Sequence, residues 1–114
     1  KEGKQIPKDL LVKIEKAKNA NEGFRSVEFL SSAIVDMKLH LSTDKKIDPV
    51  AFEKNTLKEI GMPSEIVMRH RTHHFGHIFS GEGYAAGYYG YLWAEVLNQD
   101  AFEAFTEAGN PYDK

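Results

Sequence analysis

Residues that begin and end helices punctuate this sequence and constrain its fold more than any other feature. Pro7 suits the first turn of a helix, and Asp48-Pro49 offers an acidic cap followed by a proline at the first helical position. Gly61 and Pro63 end the helix that this cap begins. No segment alternates polar and apolar residues between turn signals, so we predict an all-α fold rather than a sheet. The four to five predicted helices cover about 8–17, 26–41, 49–60, 84–97 and 100–108.

An irregular stretch rich in histidine and glycine lies between the third and fourth predicted helices. In it we expect a short helical turn at Ser64–Met68, an extended segment at Thr72–Phe79 and a loop at Gly81–Gly83. Two further breaks are predicted at Asn19–Gly23 and at Gly109–Pro111.

Length and charge narrow the possible functions. The chain has 114 residues, which suits one domain or part of one, and it contains no cysteine, which excludes disulfides and thiolate zinc sites. Fifteen Lys and Arg residues against 17 Asp and Glu residues leave a net charge of −2, so there is no basic excess to bind nucleic acid. No apolar run approaches the ~20 residues of a membrane span. Because the chain lacks both a signal peptide and an initiator methionine, we expect a fragment of a longer cytoplasmic protein.

A cluster of histidines suggests a metal site only weakly. His70 and His74 are four residues apart, as are His73 and His77, and on a helix each pair would share a face as in HExxH zinc sites. Neither pair has the glutamate that should follow its first histidine, and the two neighbouring arginines would repel a cation. Two other interpretations stay open: a polar loop with histidines paired to carbonyls or carboxylates, and a substrate-facing loop with imidazole donors.

The predicted helix over 84–97 carries the most informative side chains. At ~100° per residue, Tyr84, Tyr88 and Tyr91 fall on one face, where preorganised phenol donors can stabilise a developing oxyanion. The alternative is a solvated aromatic edge whose hydroxyl groups bond to water or backbone. Tyr89 and Trp93 fall on a second, apolar face, and we expect them to pack in the core.

The residues from Phe75 to Leu97 form a motif specific enough to indicate a family. Their order is FGHIFSGEGYAAGYYGYLWAEVL. This motif resembles the C-terminal signature of the thimet oligopeptidase family of zinc metallopeptidases, and it is most similar to the bacterial peptidyl-dipeptidase and oligopeptidase A branch. Shorter matches upstream, at 17–19, 23–24, 28–30 and 36–37, extend the resemblance over most of the chain.

The resemblance implies that residues 1–114 form a single-domain fragment, one wall of the catalytic cleft in a larger helical peptidase. The zinc of that enzyme would be held by an HExxH helix and a glutamate that precede this region, so the fragment is expected to hold no metal and to be inactive alone. Tyr84 and Tyr91 are implied to stabilise the oxyanion of the transition state. The residues implied to contact the substrate are His77, Tyr88, Gly81 and Gly83.

Competing functions follow from these observations. The first is hydrolysis of short oligopeptides, with release of C-terminal dipeptides. The second is a non-catalytic helical module that binds a peptide or a partner helix through its aromatic face. A small metal-binding protein built on the histidine cluster is the least favoured. We also expect the isolated chain to self-associate, because four or five short helices cannot cover all of its apolar surface.

Overall fold

A computed structural model of the chain describes residue 3, residues 5–110 and residue 112, so the predicted break at Pro111 lies outside the described residues. Within them the fold is all-α, as predicted, with four helices, three short 3₁₀ turns and no strand. No helix among the described residues is long and apolar enough to cross a membrane. The four helices are α1 (Lys8–Lys18), α2 (Glu22–Leu41), α3 (Pro49–Glu59) and α4 (Gly90–Glu107).

The break between α1 and α2 is shorter than predicted. Asn21 adopts a left-handed conformation with φ 60° and ψ 23°, which asparagine tolerates better than most residues. This single residue redirects the chain, so α2 begins at Glu22 rather than near Ser26. Gly23 therefore lies in the first turn of α2 and not in the break.

Local capping residues fix both ends of α3 as the sequence predicts. The Asp48 carboxylate accepts hydrogen bonds from the backbone N–H groups of Val50 at 2.9 Å and Ala51 at 3.0 Å. At the other end Gly61 has φ 75°, and the Met62 N–H donates to the carbonyl of Leu57 at 3.0 Å. This is the Schellman pattern, in which the left-handed glycine lets the chain satisfy the last carbonyl groups.

The segment after α3 is built of turns, and the predicted extended segment at Thr72–Phe79 is wrong. The chain forms 3₁₀ turns at Thr72–His74 and Gly76–Phe79 and a third at Glu82–Tyr84. The buried Glu53 carboxylate explains the first of them, because it accepts from the N–H group of Thr72 at 2.7 Å and its hydroxyl at 2.9 Å. The predicted helical turn over 64–68 is a tight turn at 64–65 only.

The last two predicted helices are one continuous helix that starts later than expected. Residues 84–89 lie outside any α-helix, and α4 begins at Gly90 and runs through residues 98–99 without a break. Every residue of α4 is described and none of them is buried. The prediction that Tyr89 and Trp93 pack in the core is therefore wrong for this chain, since they are 45% and 63% exposed.

A small core joins α2, α3 and the loop between α3 and α4. Its buried members are Val35, Leu57, Met68, Phe75 and Ile78. Helices α1 and α4 lie outside it, and the chain measures 59 × 34 × 28 Å with a radius of gyration of 19.6 Å. A compact domain of this length would have a radius of gyration of about 13 Å. The loop that carries the histidines and tyrosines is therefore held to the core by its buried residues, and its other side faces solvent.

Candidate active site

His77 is the centre of an aromatic cluster that the loop and the start of α4 build together. Its ring centroid lies 4.9 Å from that of Tyr84, 5.8 Å from that of Tyr88 and 5.9 Å from that of Tyr91. The Tyr91 hydroxyl lies 3.3 Å from Nε2 of His77. The structure thus brings together the histidine and the three tyrosines that the sequence singled out.

A turn, and not a shared helical face, produces this grouping. Tyr84 ends the third 3₁₀ turn and Tyr88 lies ahead of α4, so the helical spacing used to group them does not exist. Ala86 instead adopts a left-handed conformation with φ 54°, and the Gly87 N–H donates to the Tyr84 carbonyl at 3.2 Å. The chain reverses direction at this turn, so the rings of Tyr84 and Tyr88 both lie next to His77.

The cluster borders two shallow cavities. A cavity of about 280 Å³ is lined by His77, Tyr84, Tyr91 and small residues that include Gly83. His77 also lines a second cavity of about 340 Å³, together with Tyr88 and Tyr91. The two phenols of the first cavity, Tyr84 and Tyr91, are 50% and 52% exposed. Both side chains are therefore accessible to an incoming ligand.

The glycines of the 81–83 loop differ in their relation to this cavity. Gly83 lines it, whereas Gly81 does not. Gly81 has φ 157° and ψ 165°, and its carbonyl accepts from the N–H group of Tyr84 at 3.0 Å. Residues with a side chain rarely adopt that φ. Glycine is therefore required at 81 to bring the chain into the turn that ends at Tyr84.

Tyr88 is the tyrosine most tightly packed into the protein. Its ring stacks on Phe29 of α2 at 5.2 Å and meets the edge of Phe75 at 4.9 Å. It also lies 5.3 Å from the ring of Tyr91 and packs against the hydrophobic core. Tyr88 thus links the core to the exposed phenols.

The environment of Tyr88 keeps its phenol protonated. Burial raises the pKa of the Tyr88 phenol above its ordinary value, and this effect is the largest. Arg69 lowers that pKa, while Tyr91 and Glu28 raise it. A raised pKa favours the neutral form, so Tyr88 stays a hydrogen-bond donor to a higher pH than an ordinary tyrosine.

Asp36 is a residue of this site that the sequence analysis did not identify. Its buried carboxylate accepts from the backbone N–H groups of Ala86 at 3.1 Å and Tyr88 at 2.9 Å. His40, one turn later on α2, places Nδ1 2.8 Å from the same carboxylate. The sequence did contain a signal for Asp36. A largely apolar helix carries Asp36 and His40 four residues apart, and a buried charge is normally paired, so this spacing indicates a buried acid with a histidine partner.

The histidine cluster does not form a metal site. Among residues 3, 5–110 and 112, no group of three or more His, Cys, Asp or Glu side chains is arranged to hold a metal ion. The ring of His70 stacks on Phe75 at 4.9 Å, and His73 and His74 lie against each other at 4.1 Å. The pairs four residues apart share no helical face, since His70 precedes the first 3₁₀ turn that contains His74, and His73 and His77 lie in different 3₁₀ turns.

A larger cavity of about 700 Å³ lies on the other side of Tyr91, next to α2 and α4. It is polar and carries both signs of charge. Its basic lining residues are Lys18, Arg25 and Arg69, and its acidic ones are Glu22, Glu28 and Glu95. Such a balanced lining suits a polar ligand with both donors and acceptors better than an ion of one charge.

Sequence comparisons place these residues in a known context. The whole chain, residues 1–114, matches Peptidase family M3. It is 36% identical over 111 residues to dipeptidyl carboxypeptidase of Salmonella typhimurium and 42% identical over 112 residues to oligopeptidase A of Escherichia coli. It is also 35% identical over 104 residues to saccharolysin of Saccharomyces cerevisiae.

These alignments use most of this chain but little of the relatives. They cover 94% of the chain for the two bacterial proteins and 90% for saccharolysin. The chain spans 16% of the length of the bacterial proteins and 14% of the length of saccharolysin.

Proposed function

This chain belongs to peptidase family M3, and we propose that residues 1–114 form one wall of the catalytic cleft in a larger enzyme that hydrolyses short peptides. The convergence of Tyr84 and Tyr91 on His77 around one cavity carries this proposal. The relatives named dipeptidyl carboxypeptidase favour release of C-terminal dipeptides. A cytoplasmic location and short peptides as partners belong to the same proposal.

The phenols supply the chemistry that this chain would contribute. When water adds to a peptide bond, the carbonyl oxygen becomes negatively charged before the C–N bond breaks. Tyr84 and Tyr91 would donate hydrogen bonds to that oxygen, and one such donor is typically worth about 3–4 kcal/mol of transition-state stabilisation. Both tyrosines are about half exposed, so they can face a substrate that the rest of the enzyme would cover.

The other site residues would hold the substrate in place. His77 would orient Tyr91 through the 3.3 Å contact and meet the peptide with its ring. Tyr88 would contact the substrate from the cavity that it lines with His77 and Tyr91. Gly81 and Gly83 would bring the backbone of the loop close to the peptide.

The zinc of the family does not fit the described residues of this chain, because none of their His, Asp and Glu side chains form a metal-binding group. In the proposal, residues elsewhere in the enzyme hold the metal. We therefore expect the isolated 114-residue chain to have no peptidase activity at any zinc concentration.

The proposal is tested with the full-length protein and a fluorogenic peptide. Tyr84→Phe and Tyr91→Phe should each lower kcat by roughly 100-fold or more while KM changes little, because the lost bond forms only in the transition state. Tyr89→Phe is the matched control, since Tyr89 is next to the cluster in sequence but contributes to neither cavity. A change in KM alone would make that tyrosine a ground-state binding residue.

A non-catalytic interaction module remains the second candidate, favoured by the exposed aromatic surface of α4. Trp93 is 63% exposed, and Leu97 and Phe102 are also exposed. A full-length protein that binds peptides but hydrolyses none of them under any metal condition would support this function instead.

A further inference from the structure

The carboxylate of Asp36 holds the turn that positions the tyrosines. Asp36 lies on α2 and its exposed fraction is 0%. One of its oxygens accepts from the Ala86 N–H at 3.1 Å and the other accepts from the Tyr88 N–H at 2.9 Å. Hydrogen bonds to a charged acceptor are about twice as strong as neutral ones, so this pair is a strong restraint on the turn.

The turn needs such a restraint because its backbone conformation is unfavourable. Ala86 has φ 54°, a left-handed conformation that an alanine adopts at a cost. Gly87 passes close to the preceding turn, since a Cβ placed on it would lie 3.3 Å from the Tyr84 carbonyl oxygen. The two N–H groups bound by Asp36 flank Gly87, so the carboxylate holds the strained residues from both sides.

His40 orients the carboxylate. Its Nδ1 lies 2.8 Å from an Asp36 oxygen, and its side chain is mostly buried. The ring also packs near Phe79 at 5.7 Å, which ties it to the turn that carries His77. The same nitrogen, Nδ1, lies 3.0 Å from the Asp36 backbone carbonyl oxygen and 3.4 Å from the Ala86 nitrogen, so His40 packs against both ends of the contact that holds Ala86.

We infer that Asp36 is a positioning residue, which acts through the turn at 84–88 to set Tyr84 and Tyr88 against His77. The Asp36 carboxylate bonds to the backbone of the turn and not to the phenols themselves, and its catalytic effect rests on the proposed function. The carboxylate is anchored on the same helix as the fully buried Val35. The position of the phenols is therefore set by the core and not by the exposed loop.

The first test is Asp36→Asn in the full-length protein. Asparagine keeps the shape of the side chain but turns one acceptor into a donor, which cannot bond to a backbone N–H. Because misplacement of a catalytic group by about 1 Å can cost 10²-fold, we expect kcat to fall roughly 10- to 100-fold with little change in KM. Glu53→Gln is the matched control: it is a buried carboxylate that holds Thr72, outside the cluster, and kcat should stay within about twofold of wild type.

A double-mutant cycle separates positioning from a general loss of stability. If Asp36 acts through the phenol of Tyr84, Asp36→Asn should cost far less in a Tyr84→Phe background than alone. Additive losses, or a lower unfolding temperature with unchanged kcat, would overturn the inference. Should Asp36→Asn not fold, His40→Ala leaves the carboxylate in place and should still lower kcat by about threefold or more.

Hydrogen exchange measured by mass spectrometry gives a readout that does not depend on hydrolysis. Asp36→Asn should speed exchange in the segment 84–90, and Glu53→Gln should not. If this exchange difference is observed but the wild-type protein hydrolyses no peptide, the proposed function is wrong and the positioning role of Asp36 in the turn stands. Equal exchange in both variants would overturn the positioning role even if the enzyme is active.

Discussion

The Tyr91 hydroxyl lies 3.3 Å from Nε2 of His77, although the two residues are 14 positions apart and belong to different elements. A phenol both donates and accepts, and so does a neutral imidazole through its two nitrogens. In the tautomer with a proton on Nε2, His77 donates to Tyr91 and leaves the phenol proton for a third group. His77 is thus placed to control where the Tyr91 proton points.

This contact predicts the effect of His77→Ala in the full-length protein. The change removes the partner of Tyr91 and a ring that packs on Tyr84, so we expect kcat to fall by roughly 10-fold or more. The zinc content, measured by mass spectrometry of the purified protein, should equal that of wild type. Loss of zinc would instead identify His77 as a ligand and contradict the role assigned to it here.

The backbone of the turn predicts opposite effects for two neighbouring substitutions. Ala86→Gly should stabilise the full-length protein by about 0.5–1 kcal/mol, because glycine adopts φ 54° without strain. Gly87→Ala should destabilise it by about 1–3 kcal/mol, because the new Cβ would lie 3.3 Å from a backbone oxygen of Tyr84.

Thermal unfolding followed by circular dichroism measures both changes. Gly90→Ala is the control, since a Cβ at Gly90 would meet nothing within 4 Å. Alanine should be neutral or slightly stabilising there. Equal shifts in the same direction for Ala86→Gly and Gly87→Ala would show that the turn is not strained in the way described.

The exposed surface of α4 predicts the state of the isolated chain. Trp93 and Leu97 are 63% and 65% exposed on a helix that buries none of its residues, all of which are described. Contiguous apolar surface of this kind drives association, most simply as a twofold dimer. Sedimentation equilibrium at micromolar concentration should therefore show a dimer or a larger species.

Charge substitution on this surface is the check. Trp93→Glu with Leu97→Glu should return the chain to a 12.9 kDa monomer. Val67→Glu, at an apolar residue of the loop after α3 that is 57% exposed, should not. A wild-type monomer that binds no hydrophobic dye would contradict the prediction.

Elements whose signals are local were predictable from the sequence. Both ends of α3 follow from Asp48 and Gly61, because each residue bonds to backbone groups only two or three positions away. The break at Asn19–Gly23 was predicted but its end at Asn21 was not, because asparagine adopts the left-handed conformation only in some contexts. The prediction of an all-α fold was still confirmed, since it depends on the whole pattern of caps and apolar stripes and not on any single helix end.

Elements whose conformation depends on distant residues were not predictable. The start of α4 depends on Ala86, which is held by an aspartate 50 residues earlier in the chain. The first 3₁₀ turn depends on Glu53, which is 19 residues before Thr72. The sequence analysis grouped the tyrosines by the spacing of a helix that does not include Tyr84 or Tyr88. They still meet, because the turn at 84–88 brings them to one side of the chain.

Helix α1 shows how unevenly local stability is distributed in this chain. All of its residues are described and none is buried, and at 11 residues it is shorter than the ~12–15 that an isolated helix needs in water. Its amide hydrogens are therefore protected by little more than its own marginal helicity, whereas those around Val35 open only when the core does. Folding of α1 and of the core can thus occur as separate cooperative events, with α1 ordered last by whatever surface comes to cover it.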